Sequence, residues 1–135
     1  MTDVRWQQRF QNFEKAFLLL KDAMLLPELN ELERNGLVQR FEFTLEMAWK
    51  TMKDFLEDKG FDFKPSPKDT IRLAQESAYI DYAQELIDGL DLRNILSHDY
   101  SGEKFTECET VLRQDVFPAL EKLYHFFISQ KKILK

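Results

Sequence analysis

Trp6, Phe10, Phe13, Phe17, Leu20 and Met24 recur at alternating intervals of four and three residues. That spacing draws one continuous stripe along an α-helix, whereas a strand would send Phe10 and Phe13 to opposite faces. A helix with so apolar a side has to bury it against other helices. Pro27 ends the segment, and Asn30 followed by Glu33 supplies a capping side chain with an acid three residues on, the pattern that satisfies free N–H groups where a helix begins. Leu37, Phe41, Leu45, Ala48, Met52 and Phe55 then continue the rhythm, with Trp49 and Leu56 widening the face, until Gly60 stops it. Gly36 costs about 1 kcal/mol inside a helix, which moves the expected start toward Asn35 or makes the first turn irregular.

The segment 61–67 carries two prolines and reads as a crossover. Ser66 as cap, Pro67 as first helical residue and Asp69 in the first turn announce a short third helix through about Ser77. A fourth is expected from about Asp81, with Ala83, Leu86, Ile87, Leu90 and Asn94 on one side, until Ser101-Gly102 breaks it. A fifth begins near Glu103 and carries Phe105, Cys108, Leu112, Val116, Ala119, Leu123 and Phe126. Pro118 lies within that pattern and removes the bond to the carbonyl of Gln114, so a kink is expected there. No internal repeat, low-complexity tract or strand-like alternation interrupts the series. The fold class that follows is all-α, an up-and-down bundle of four long or medium helices with a fifth short one.

At 135 residues the chain is expected to form one domain over 1–135, with 12 Phe, 4 Tyr and 2 Trp to fill its core. The lone Cys108 can close no intrachain disulfide and has no partner for a thiolate zinc site, which points to a reducing compartment. The opening MTDVRWQQRF is too polar for a signal peptide, and no apolar run nears the roughly 18 residues of a membrane helix, so the expectation is a cytoplasmic protein with no membrane contact. The formal charge is −5. An acidic chain does not attract phosphate backbones by its overall field, so any nucleic-acid chemistry has to come from a local cationic site or from a partner.

Side chains suited to acid–base or phosphate chemistry concentrate where the fourth helix ends, in RNILSHDY. Arg93 can grip phosphate oxygens through its planar fork of donors, and His98 has an ordinary pKa near neutrality. Together they could cleave RNA without a metal: His98 takes the proton of a ribose 2′-hydroxyl and Arg93 stabilises charge on the phosphorus oxygens. Five residues at 100° each place the two positions about 140° apart on an unbroken helix. Either the helix frays before His98, or the site is completed across a dimer by the Arg of one chain and the His of another. Asn94, four residues from His98, shares its side and can orient the ring or hold a phosphate. Tyr100 adds a nucleophile or donor just beyond. No glycine-rich phosphate loop, cofactor motif, metal-ligand cluster or Gly-Ser nucleotidyltransferase motif is present, so the chain is not itself a transferase.

RNILSHDY resembles the signature of HEPN domains, in which Arg, a polar residue, three further residues, His, one residue and Tyr are arranged as in Arg93, Asn94, His98 and Tyr100. RWQQRFQNFEKAFLLL and GLVQRFEFTLEMAWKTMKDFLEDKG extend the likeness over about residues 5–128 to the nucleotidyltransferase substrate-binding proteins, the HEPN subgroup encoded beside a minimal nucleotidyltransferase. The resemblance implies a homodimeric HEPN-like bundle paired with a separate minimal nucleotidyltransferase as toxin and antitoxin. In such pairs the HEPN member is an RNase whose Arg and His, here Arg93 and His98, face a cleft at the dimer axis. The partner transfers AMP to the motif tyrosine, here Tyr100, and silences it. Another reading of the same resemblance is a non-catalytic subunit that binds the substrate of the nucleotidyltransferase, with a nucleotide as possible ligand.

Plainer readings stand beside these. Arg93 could be a surface arginine paired with Asp91 or Asp99, and Tyr100 could pack on the next helix. His125 reads as structural or solvent-facing, Cys108 as a buried inert thiol, and Lys131, Lys132 and Lys135 as a frayed basic tail. Between Asp81 and Glu109 eight acids face two bases, Arg93 and Lys104, so the motif's surroundings are net negative.

Overall fold

The computed structural model describes residues 5–98 and 102–133. Helix α1 spans Arg5–Met24, α2 Glu31–Asp58, α3 Pro67–Glu76, α4 Ala83–His98, α5 Gly102–Val111 and α6 Phe117–Ile133, with one π-helical turn, Leu112–Val116, joining the last two. Because α5, the π turn and α6 run on as one interrupted rod, the architecture is the expected five-helix bundle, and no strand occurs among the described residues.

The α1 stripe is the centre of the core. Trp6, Phe10, Phe13, Phe17 and Leu20 are all buried. Trp6 meets the ring of Phe55 edge-on at 5.4 Å and that of Phe127 at 5.6 Å, tying α1 to α2 and α6. Phe17 stacks on Tyr124 at 4.9 Å. The Tyr124 hydroxyl donates to Glu14 Oε2 at 2.6 Å, and this bond, with burial and the carboxylate's charge, pushes the phenol up to about 12.

Helix α2 begins earlier than Gly36 suggested. The Glu33 N–H donates to Asn30 Oδ1 at 2.8 Å while the Asn30 N–H donates to Glu33 Oε1 at 3.0 Å, and this closed capping box outweighs the cost of Gly36 inside the helix. Ser66 caps α3 as expected. Helix α4 starts two residues later than Asp81, and the N–H of its first residue, Ala83, donates to Gln75 Oε1 at 2.9 Å. Asn94, expected on the apolar side of α4, is exposed.

Just before Pro118, where a kink is expected, the helix holds a π turn: the Phe117 N–H reaches back to the carbonyl of Leu112. Widening the helix just before Pro118 spares the Gln114 carbonyl the clash that the pyrrolidine ring would cause in a regular turn. Beyond the turn the buried face widens. Downstream of the turn Leu120 and Phe127 are fully buried beside Ala119 and Leu123, while Phe126, expected in the core, is only half-buried. Arg113, projecting from this turn, donates from Nη1 to the Met24 carbonyl at 2.8 Å and from Nη2 to the Leu26 carbonyl at 3.3 Å, closing the C-terminal end of α1. Cys108 is buried and His125 exposed. Lys131 is not frayed: it is helical, with its ammonium 5.5 Å from the centre of the Phe10 ring.

Candidate functional site

Gly89 decides where Arg93 stands. A Cβ at Gly89 would lie 2.9 Å from Val116 Cγ1 and 3.8 Å from Leu45 Cδ1, so only the bare backbone lets α4 approach the π turn and α2 this closely. One helical turn further on, Arg93 Nη1 reaches Glu46 Oε1 of α2 at 3.7 Å. This is an ion pair longer than a hydrogen bond, and it leaves the donors of the guanidinium largely unspent.

Glu46 is itself held. Its Oε1 accepts from Trp49 Nε1 at 3.2 Å, and its Oε2 lies 2.8 Å from Lys50 Nζ. Burial pushes the Glu46 carboxyl up, but the hydrogen bonds from Lys50 and Trp49 and the charges of Lys50 and Arg93 outweigh it, leaving the group below its ordinary value. Glu46 therefore stays ionised at neutral pH and can hold Arg93 in place. The partners expected for Arg93 were Asp91 and Asp99. Asp91 instead lies 3.8 Å from Lys68 of α3, and Asp99 lies outside the described residues.

Helix α4 remains α-helical through His98. The helix therefore does not fray before His98, and the Arg93 and His98 positions stand about 140° apart around one axis. Asn94 is exposed, and its carbonyl accepts from Ser97 Oγ at 2.9 Å. Tyr100 lies outside the described residues. Phe43, three residues from Glu46 on α2, and Ile95, two residues from Arg93 and so on another side of α4, are large apolar side chains left exposed. Several acids near the motif are engaged with neighbours other than Arg93, Asp88 with Gln84 and Glu109 with Arg113. A wider depression of about 690 Å³, lined by Tyr79, Tyr82, Lys122 and Phe126 among others, opens near the start of α4 and shares no residue with the motif.

Reading the sequence brought Arg93 and Asn94 forward but missed Glu46, Trp49 and Lys50. Their spacing shows a local i,i+4 pair between Glu46 and Lys50, yet nothing in it points to an arginine 47 positions later.

Known structures place the bundle in a class. The chain superimposes on the HEPN toxin of Shewanella oneidensis, solved tri-AMPylated and in complex with its MNT antitoxin, with a TM-score of 0.75 over 96% of this chain and 99% of that one, at 13% identity. The fold is thus that of HEPN proteins. A Thermus thermophilus protein of known crystal structure matches with a TM-score of 0.72 and 29% identity over 87% of this chain and 97% of that one. Residues 8–128 match the family model described as nucleotidyltransferase substrate binding protein like, and the chain belongs to that family. No curated protein matches it. No helix among the described residues is long and apolar enough to cross a membrane.

Proposed function

We propose that the chain is the HEPN component of a two-protein module with a minimal nucleotidyltransferase, and that it cleaves RNA without a metal at a site shared between two copies. The observation that carries this reading is the unbroken end of α4. With the Arg93 and His98 positions about 140° apart around an unbroken helix, one chain does not bring the two groups to one phosphate. A two-fold axis near the helix end pairs Arg93 of one copy with His98 of the other, and the exposed Phe43 and Ile95 offer apolar surface for that contact.

In the proposed reaction His98 removes the proton of a ribose 2′-hydroxyl, the 2′-oxygen bonds to phosphorus, and the bond from phosphorus to the 5′-oxygen breaks, that oxygen taking up a proton. Arg93 leaves the long ion pair with Glu46 and spends its fork on the phosphorus oxygens as charge gathers there, while Asn94 steadies the ring or the phosphate. The partner would silence the site by transferring AMP from ATP to Tyr100, the phenol oxygen bonding to the α-phosphorus as pyrophosphate leaves. The added charge and bulk would then stand where the substrate phosphate enters.

The test is complementation. Arg93→Ala and His98→Ala should each abolish RNA cleavage, and a mixture of the two should recover about a quarter of the original activity, because half the dimers are mixed and each mixed dimer carries one intact site. Equal cleavage by all variants would refute the site, and no recovery on mixing would refute its sharing between chains. Intact mass after incubation with the transferase and ATP should show an adenylyl adduct that Tyr100→Phe removes. The family description favours a second reading, a non-catalytic subunit that presents substrate to the transferase; it predicts a stable complex and no cleavage of RNA.

A further inference from the structure

The first two turns of α1 carry a second set of anion donors. A depression of about 200 Å³ is lined by Arg5, Gln8, Arg9 and Asn12, two guanidiniums and two carboxamides with no carboxylate among them. Their spacing of three, one and three residues puts all four on one side of α1. Arg9 is fixed there by a salt bridge: its Nε donates to Asp54 Oδ2 at 2.8 Å, and the Asp54 side chain is wholly buried. Lys53 Nζ lies 3.3 Å from the other Asp54 oxygen. The bond to Asp54 uses only the Nε edge of Arg9, which leaves its terminal nitrogens for a ligand in the depression. Arg5 is exposed and makes no ion pair among the described residues.

The lining itself is cationic on a protein of formal charge −5: Arg5 and Arg9 are its two charged side chains, and the one carboxylate bound to either among the described residues, Asp54, is shared with Lys53. Forked donors backed by a buried carboxylate suit the tetrahedral, multiply charged oxygens of phosphate.

We propose that this face of α1 is a phosphate-binding site that holds the backbone of a single RNA strand. The inference rests on the RNA reading above and gives the acidic chain a second local cationic contact beside Arg93. Asp54, which fixes Arg9, and Glu46, which holds Arg93, are eight residues apart on α2, a rise of about 12 Å. The same eight residues turn the helix by about 80°, so a strand that reaches both arginines crosses α2 obliquely.

The experiment measures binding without cleavage, using full-length protein carrying His98→Ala and a fluorescein-labelled 12-nucleotide single-stranded RNA followed by anisotropy across a salt series. In that background Arg5→Ala/Gln8→Ala alters surface groups and should leave the fold intact by circular dichroism. Its affinity should fall about fivefold or more, and the log–log salt slope should shrink by about 0.7 for the lost phosphate contact. Arg9→Lys keeps a cation beside Asp54 but loses the fork, and should also weaken binding. Unchanged affinity and slope in both variants, or no RNA bound at all, would overturn the proposal. So would AMP or inorganic phosphate shifting the Arg5 and Arg9 side-chain NMR signals while RNA affinity ignores both residues, since the site would then serve free phosphates. Competition by polyglutamate as effective as by RNA would overturn it in favour of an acidic protein partner. Strand binding that depends on Arg5 and Arg9, with no cleavage by the unmutated protein, would leave this site standing and refute the nuclease.

Discussion

Arg9 and Arg93 are both tied to α2 by a carboxylate, and the two ties differ in kind. Arg9 donates at 2.8 Å to Asp54, whose side chain is completely shielded from water and is shared with Lys53. Arg93 stands 3.7 Å from Glu46, which is 38% exposed and already committed to Trp49 and Lys50. A carboxylate out of water that lost its cations would be left as an uncompensated charge, so the first tie is part of what keeps α1 on α2. The second is screened by solvent and costs little to open, which is what an arginine that must turn to a substrate requires. Two residues of one type thus separate into an anchor and a movable group by the burial of their partners.

The sharpest way to break this contrast is to strip Asp54 of its cations. Arg9→Ala/Lys53→Ala should lower the free energy of unfolding by about 3–5 kcal/mol, read from urea denaturation; a loss under about 1 kcal/mol would place Asp54 closer to water than its burial indicates. Gly89→Ala acts one step behind the other arginine. The new methyl would meet Val116 at 2.9 Å, and the expected loss is about 1–3 kcal/mol together with displacement of Arg93 from Glu46, visible as altered Arg93 Nε–Hε NMR signals. Glu46→Gln should change stability by less than about 1 kcal/mol while weakening the hold on Arg93, so its effect should appear in RNA cleavage and hardly at all in denaturation.

The smallest effect is a pH dependence. Because the folded protein holds the Glu46 carboxyl below its ordinary 4.5, the stabilisation it contributes is complete above that value and is lost as pH falls through the lower, folded one. The stability difference between the unmutated protein and Glu46→Gln should therefore be present at pH 7 and vanish in strong acid. A difference that instead grew on acidification would mean the carboxyl is raised, not lowered, by its surroundings.

Much of this arrangement is legible in the sequence, and the illegible part has a common cause. The α1 stripe, the Asn30 capping box and the Ser66–Pro67 start are local patterns, and local patterns survive into the fold because the physics that forms them spans a turn or two. The Asn30–Glu33 pattern and Gly36 pointed to different starts for α2, and the two capping bonds decide for the earlier one. Asp54 reads as a polar residue on an amphipathic helix, and nothing near it reveals that α1 will cover it. Glu46 fails in the same way, since its meeting with Arg93 depends on how closely Gly89 lets α4 settle. Phe127 rather than Phe126 fills the core because steps of three and of four from Leu123 both fit a period of 3.6, and only the place left between Trp6, Phe10 and Phe13 chooses between them.

That wider turn before Pro118 also marks where the chain can change length. A regular helix that gains or loses one residue rotates everything beyond it by about 100°, so half of its contacts come undone. The 112–116 segment already absorbs such a step, with Leu112 and Val116 seated in the core on either side of it. Evolutionary drift in length along the closing rod is consequently tolerable at this seam, where a lineage can trade the surplus residue and the proline together, and ruinous a turn to either side.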